Sequence, residues 1–95
     1  MKKMKEKFMR AITRTFDLPS EVTLELPRIT MIGSIHAYIE NHQGLVVFSS
    51  QELLLKVHQG FVRVKGEAFV LKMMIDKDIL LEGKIQDVTF EKDKA

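Results

Sequence analysis

Phe61-Val62-Arg63-Val64-Lys65-Gly66-Glu67-Ala68-Phe69-Val70-Leu71-Lys72-Met73-Met74-Ile75 is the stretch on which the fold turns. Up to Lys65 the apolar residues alternate with charged ones, as in a strand with one face toward a core. Past Gly66 the alternation changes parity, with Phe69, Leu71, Met73 and Ile75 following Val62 and Val64. A parity change beside a glycine is the trace of a β-bulge, and bulges bend and twist the strand that carries them. The segment Ile79–Phe90 repeats the device, with Ile79 and Leu81 before Gly83 and Val88 and Phe90 after it.

Working outward, the breaks are regular. Gly33, Ser50, Gly66 and Gly83 stand 17, 16 and 17 residues apart. Between them fall three polar turn clusters, Asn41-His42-Gln43-Gly44, His58-Gln59-Gly60 and Asp76-Lys77-Asp78. This divides the body into four extended segments, Arg28–Ile39, Leu45–Val57, Phe61–Ile75 and Ile79–Phe90, each holding one break. Two connections end in glycine, which predicts hairpins with a left-handed residue at the last loop position. Ahead of them, Val22, Leu24 and Leu26 alternate with Glu21, Thr23 and Glu25 in a first strand that Ser20 opens and Pro27 stops.

The spacing predicts a mainly β fold, an antiparallel meander of bent strands curled into a half-barrel or small sandwich. The alternative is a short β-solenoid of about four rungs stacked ~4.8 Å apart. A solenoid stacks His42 and His58 on one edge, whereas a meander of the four segments separates them to opposite ends. Hairpin-length connections favour the meander. Leu53-Leu54-Leu55, Ala68–Leu71 and Met73-Met74-Ile75 are apolar on both faces, so the second face of the sheet calls for a cover or a partner.

The 95 residues read as a single domain, with a basic amphipathic helix over 1–17, a β body over 20–90 and a frayed tail over 91–95. Met4, Phe8, Ile12 and Phe16 recur at i, i+4 as an apolar stripe, and Asp17 and Pro19 end the helix. Its other face carries Lys2, Lys3, Lys5, Lys7, Arg10 and Arg14 against Glu6 alone, a net +5 in residues 1–16. Residues 17–95 hold nine basic and twelve acidic side chains, a net −3, so all of the excess positive charge sits on this arm. The candidate docking residues are therefore Lys2, Lys3, Lys5, Lys7, Phe8, Arg10, Ile12, Arg14 and Phe16. Either the stripe packs on the sheet, or the arm lies on an anionic membrane or a partner, at about 1 kcal/mol per cation near a charged lipid surface. The same asymmetry argues against nucleic acid, whose readers spread basic residues across the domain face.

Chemistry is sparse. There is no cysteine, which removes disulfides and thiolate sites and fits a reducing compartment. The longest apolar runs are four residues, against about 20 for a membrane span. His42 and His58 reuse one turn sequence and His36 sits in a strand, so three histidines are better read as turn and strand residues than as metal ligands. Asp76, Asp78 and Glu82 lack the glycine and remaining ligands of a calcium loop and read as a solvated hairpin turn. Ser49-Ser50 has no nucleophile elbow around it. No constellation supports catalysis, a cofactor or a metal. An enzyme is not expected.

Leu26–Gly33, Tyr38-Ile39-Glu40-Asn41-His42 with Gly44, Val64-Lys65-Gly66-Glu67 with Phe69-Val70-Leu71, and Ile79–Gly83 closing near Phe90 together resemble the YabP/YqfC family of sporulation proteins. The match spans nearly the whole chain, including the basic arm and Leu18-Pro19. The resemblance implies a protein made in the cytoplasm of the mother cell, at or near the membrane around the forespore, and needed for spore formation. It supplies no catalytic residues, and it implies a membrane-bound partner of the YqfD type. The expected role is a non-enzymatic assembly, scaffold or membrane-docking factor working through protein–protein interaction. The alternatives are a self-assembling, homo-oligomeric β scaffold and a small-ligand or cell-wall-fragment binding module using the concave side of the sheet.

Overall fold

The structure, a computed structural model, describes residues 26–93. The helix expected over 1–17 and the strand expected to start at Ser20 lie outside the described residues. Six strands follow: β1 (Arg28–Ile32), β2 (His36–Glu40), β3 (Gly44–Phe48), β4 (Glu52–Val57), β5 (Gly60–Ile75) and β6 (Asp78–Lys92). They form one sheet in the order β1-β2-β6-β5-β4-β3, every pairing antiparallel. Strands β3 to β6 make a meander, and the β1–β2 hairpin joins it at β6. The sheet is open, with β1 and β3 at its edges.

The four breaks prove to be of two kinds. At Gly33 and Ser50 the chain turns back on itself, so the expected segments Arg28–Ile39 and Leu45–Val57 are each two strands. At Gly66 and Gly83 the long strands β5 and β6 continue but bend, and parity does change along both, although a further shift at Leu71/Met73 turns Met73 and Ile75 to the face opposite Phe69 and Leu71, with which the alternation groups them. Register shifts at Lys65/Gly66, Glu67/Val70 and Leu71/Met73 mark the bulges. Beyond the bend β5 pairs only with β6, while before it β5 also pairs with β4. Strand β2 pairs with β6 only through Ile79–Glu82. The sheet is thus creased into two layers, β1-β2-β6-β5 on one side of the bend and β3-β4-β5-β6 on the other.

All four breaks meet at this crease. Bending takes ladder partners from the amides around it, and the two hairpin loops replace them. Gly83 N and Ile85 N donate to Ile35 O and Ser34 O, at 2.9 and 2.8 Å, and Gly66 N and Phe69 N donate to Gln51 O and Ser50 O, both at 3.0 Å. Buried backbone groups need such partners. Phe69, 5% exposed, packs its ring where a Cβ on Gly83 would stand 2.6 Å from it and one on Gly66 would stand 2.8 Å from it. Only glycine lets the aromatic sit in the fold of the crease. The regular spacing of the breaks is the length of one excursion from the crease, out along a strand and back along the next.

The far ends of the layers are joined by the β2–β3 connection, where His42 N donates to Lys77 O at 3.1 Å and Gln43 N to Lys56 O at 2.7 Å. Between the layers lies one apolar core. Ala37, Ile39, Ile79 and Leu81 from the first layer meet Leu53, Leu55, Val57, Val62 and Val64 from the second, with Phe69 and Ile85 at the bend.

Several local expectations change. Rungs of a solenoid are absent among the described residues, although His42 and His58 do flank one end of the β3–β4 hairpin, where Gly44 pairs with Lys56. Splitting Leu45–Val57 into two strands brings both turns to that end, so histidine position could not have told the two architectures apart. The left-handed loop residues are Asn41 and Gln59, with φ of 68° and 65°, not Gly44 and Gly60. Gly60 lies in β5 with its α-carbon against the Glu91 carbonyl, where a side chain would collide. The C-terminal residues 91–93 are held rather than frayed, because β6 runs to Lys92 and Asp93 N donates to Gln59 O at 3.1 Å.

Candidate interaction surfaces

The docking residues read from the sequence, Lys2 to Phe16, lie outside the described residues. What the sheet itself offers is two outward faces and, in each layer, two edges: β1 and the part of β5 beyond the bend in one, β3 and the part of β6 beyond Glu82 in the other.

On the outward face of the β1-β2-β6-β5 layer, register places Thr30, Tyr38, Leu80 and Met73 in one cross-strand row. Tyr38, Leu80 and Met73 form a buried cluster separate from the core, 1%, 3% and 5% exposed. The row on one side holds Ile32, His36, Glu82 and Val70, with His36 Nε2 lying 3.0 Å from Glu82 Oε1. On the other side stand Arg28, Glu40, Asp78 and Ile75. The carboxylates of Glu40 and Asp78 are buried, and the Tyr38 hydroxyl donates to Asp78 Oδ2 at 3.4 Å. Asp78 was expected in a solvated turn; it opens β6 instead, because the turn needs only Asp76 and Lys77. Burial, then the charges of Asp78 and Glu40, hold the Tyr38 phenol above its ordinary range.

His42 belongs to the same corner. It is buried, its Nδ1 accepts from Gly44 N at 3.1 Å, and its Nε2 finds no hydrogen-bond partner. Burial lowers its pKa, and the nearby Asp78 charge offsets part of that. The ring serves the β2–β3 connection it caps, and its committed Nδ1 leaves no free base facing solvent. Among the described residues, no three of His, Asp and Glu are grouped to hold a metal.

The outward face of the β3-β4-β5-β6 layer is a lattice of charges. Arg63 donates to Glu91 through Nε and Nη2, at 2.6 and 3.2 Å, and to Glu52 through Nη1. This fork raises the Arg63 pKa and lowers that of Glu91. Lys56 bonds Asp93 at 2.8 Å and lies 5.0 Å above the Phe61 ring. Such a face is at home in water.

The edge strand β3 is different again. Leu45, Val46, Val47 and Phe48 are 39%, 52%, 39% and 40% exposed, β3 pairs only with β4, and the strand carries no charge. Soluble proteins ordinarily protect such an edge with lysine, proline, a bulge or a cover; among the described residues the only such device here is a bulge between Leu45 and Val47. The sequence shows the uncharged run, but a short apolar run reads equally as a buried central strand. Only the strand order reveals it as an edge. No helix among the described residues is long and apolar enough to cross a membrane.

Comparison with known proteins completes the description. The family model described as the YabP family matches residues 25–95. The chain is 42% identical over 90 residues to a protein of Bacillus subtilis (strain 168) named "Uncharacterized protein YqfC", covering 95% of this chain and 97% of that one. No solved structure matches.

Proposed function

This chain belongs to the YabP family, and from that premise we propose that it is a non-enzymatic assembly factor of spore formation whose β3 edge receives a strand of a protein partner. The observation that carries the reading is the exposed, uncharged edge Leu45–Phe48. Adding a strand to such an edge gives affinity through main-chain hydrogen bonds and specificity through alternate side chains. The family resemblance supports action in the mother cell, with a membrane-bound protein of the YqfD type as partner. The six cations of residues 1–16 would bring the sheet to an anionic membrane surface. A ligand-binding module is disfavoured, because the faces turned toward each other are filled by apolar side chains from Ala37 to Ile85.

The test is a charge placed on the edge. Val46→Lys with Val47→Lys should leave the melting temperature nearly unchanged, since exposed substitutions usually stay within about 0.5 kcal/mol. The same variant should lose binding to the YqfD-type partner and lower spore yield in an endospore-forming host. Wild-type binding and spore yield would refute the edge. Concentration-dependent sedimentation of the wild-type chain, abolished in the variant, would instead make the edge a self-assembly surface.

A further inference from the structure

We propose that β3 closes against Val70–Ile75, the part of β5 beyond the bend, and that this seam, shut or open, decides whether the β3 edge can take a partner strand. The control of binding rests on the function proposed above, whereas the closure stands on the backbone alone. Among the described residues β3 pairs only with β4, and Val70–Ile75 only with β6. The ends of the two segments are nevertheless already joined. At the crease Phe69 N donates to Ser50 O at 3.0 Å, and at the far end of the layers His42 N donates to Lys77 O at 3.1 Å. The two runs between these ties are antiparallel, and each is eight residues long (50 − 42 and 77 − 69). Equal lengths between two fixed points leave one register, with Leu45 opposite Met74 and Phe48 opposite Leu71.

The side chains agree with that register. Leu45 and Phe48 share rows with Leu55 and Leu53, and Met74 and Leu71 share rows with Ile79 and Leu81; all four of those neighbours are core residues. Both opposed pairs therefore turn toward the core. Gly44 and Ile75, opposite one another in the same register, share rows with Lys56 and Asp78 on the outward faces. A bulge in one strand alone would break this match, because one extra residue turns all that follows to the other face. Each strand has one, Val46 in β3 and Lys72 in β5, at nearly the same level of the seam. The two cancel. Neither strand's pairing with its own neighbour calls for that coincidence.

Closure also has something to gain. Leu45, Phe48 and Met74 turn to the core side yet are 39%, 40% and 52% exposed. The seam holds a single charge, Lys72, so no like charges oppose one another across it. Shutting it removes an open apolar edge, and a partner strand must compete with Val70–Ile75 for the same main-chain groups.

The chain has no cysteine, so a designed pair reports the seam. Opposed residues of an antiparallel pair stand about 4.5–5.5 Å apart at Cα, within the ~4.4–6.8 Å that a disulfide spans. In the full chain, Leu45→Cys with Met74→Cys should oxidise to an intrachain disulfide, and Phe48→Cys with Met74→Cys, three residues out of register, should not. These sites are exposed, so the reduced variants should melt close to the wild type. The unsubstituted protein supplies a second readout. Ser49 N donates to Glu52 O, so alternation turns the Phe48 amide away from β4 and into the seam, where closure should slow its hydrogen exchange. Absence of the first disulfide, equal cross-linking of both pairs, a disulfide joining two copies, or a Phe48 amide exchanging at the unprotected rate would each overturn the closure. The oxidised Leu45→Cys, Met74→Cys protein should lose the partner used to test the β3 edge and regain it on reduction. Binding that persists after oxidation would overturn the control of binding. If Val46→Lys with Val47→Lys also leaves that binding intact, the failure lies in the reading of the edge and not in the seam.

Discussion

The two outward faces of the creased sheet are built from the same two long strands, yet they solve the problem of meeting the surroundings in opposite ways. On the β3-β4-β5-β6 side, alternation puts Glu52, Lys56, Arg63 and Glu91 outside, where Arg63 bonds Glu91 at 2.6 and 3.2 Å and also Glu52, and Lys56 bonds Asp93 at 2.8 Å. On the β1-β2-β6-β5 side the bulges shift the parity, and the outward row becomes Tyr38, Leu80 and Met73. One bend therefore converts a polar face into an apolar one along a single chain direction. The lesson is that a bulge does more than turn a strand, because it also chooses which residues the next half of that strand shows to its outside.

The comparison can be broken most severely at Tyr38. Tyr38→Ala removes a fully buried ring and the donor to Asp78, and it should cost about 3–5 kcal/mol, as aromatic truncations in cores do. Thermal or urea unfolding would read this, and a loss under 1 kcal/mol would mean that the row is not a second core. The crease comes next. Gly83→Ala drives a methyl into the Phe69 ring and should destabilise by about 1–3 kcal/mol. Combining it with Phe69→Leu should recover part of the loss, which unfolding of the double variant checks.

Acidity should distinguish the faces next. Because His42 has a lowered pKa when folded, the unfolded chain takes up its proton first as pH falls through the ordinary histidine value of ~6.5. Its contribution to stability is thus intact above that value, declines as pH falls below it, and levels off below the lowered folded pKa. His42→Asn should flatten the change in melting temperature between neutral and mildly acidic buffer; an unchanged slope would separate the β2–β3 connection from the titration. The smallest effect belongs to the charged face. Arg63→Ala should lower the melting temperature least of these variants, as loss of a solvent-screened ion pair does, and less still in high salt. A larger loss, insensitive to salt, would make that face structural as well.

Reading of the sequence went furthest where a rule is local. The bends at Gly66 and Gly83 were legible because a parity change needs only neighbouring residues. The turns at His58-Gln59 and Asp76-Lys77 were legible from their polarity. What escaped was everything that depends on partners distant in the chain. Gly33 and Ser50 looked like further bends, since nothing local says that their loops will dock into the other two breaks. Asp78 looked solvated because its burial comes from Tyr38, forty residues away. Gly60 looked like a loop residue because its true constraint is the Glu91 carbonyl across the ladder. Leu45–Phe48 could not announce itself as an edge, since edge and centre differ only in strand order. Among candidate docking residues, the basic arm was visible as a charge asymmetry, while the β3 edge and the Tyr38 row required the sheet.

The crease also sets an order in time. Its two clamps close loops of very different length. The bonds from Gly66 to Gln51 and from Phe69 to Ser50 span 15 and 19 residues (66 − 51 and 69 − 50), and those from Gly83 to Ile35 and Ile85 to Ser34 span 48 and 51 (83 − 35 and 85 − 34). Closure entropy grows as the logarithm of loop length, so the threefold difference favours the shorter clamp by about 1 kcal/mol. Amides of Gly66 and Phe69 should therefore gain protection before those of Gly83 and Ile85 in pulsed hydrogen exchange during refolding, and the reverse order would exclude this sequence of events. The β3–β6 meander then forms as a unit, and the β1–β2 hairpin arrives last to complete a crease already half made.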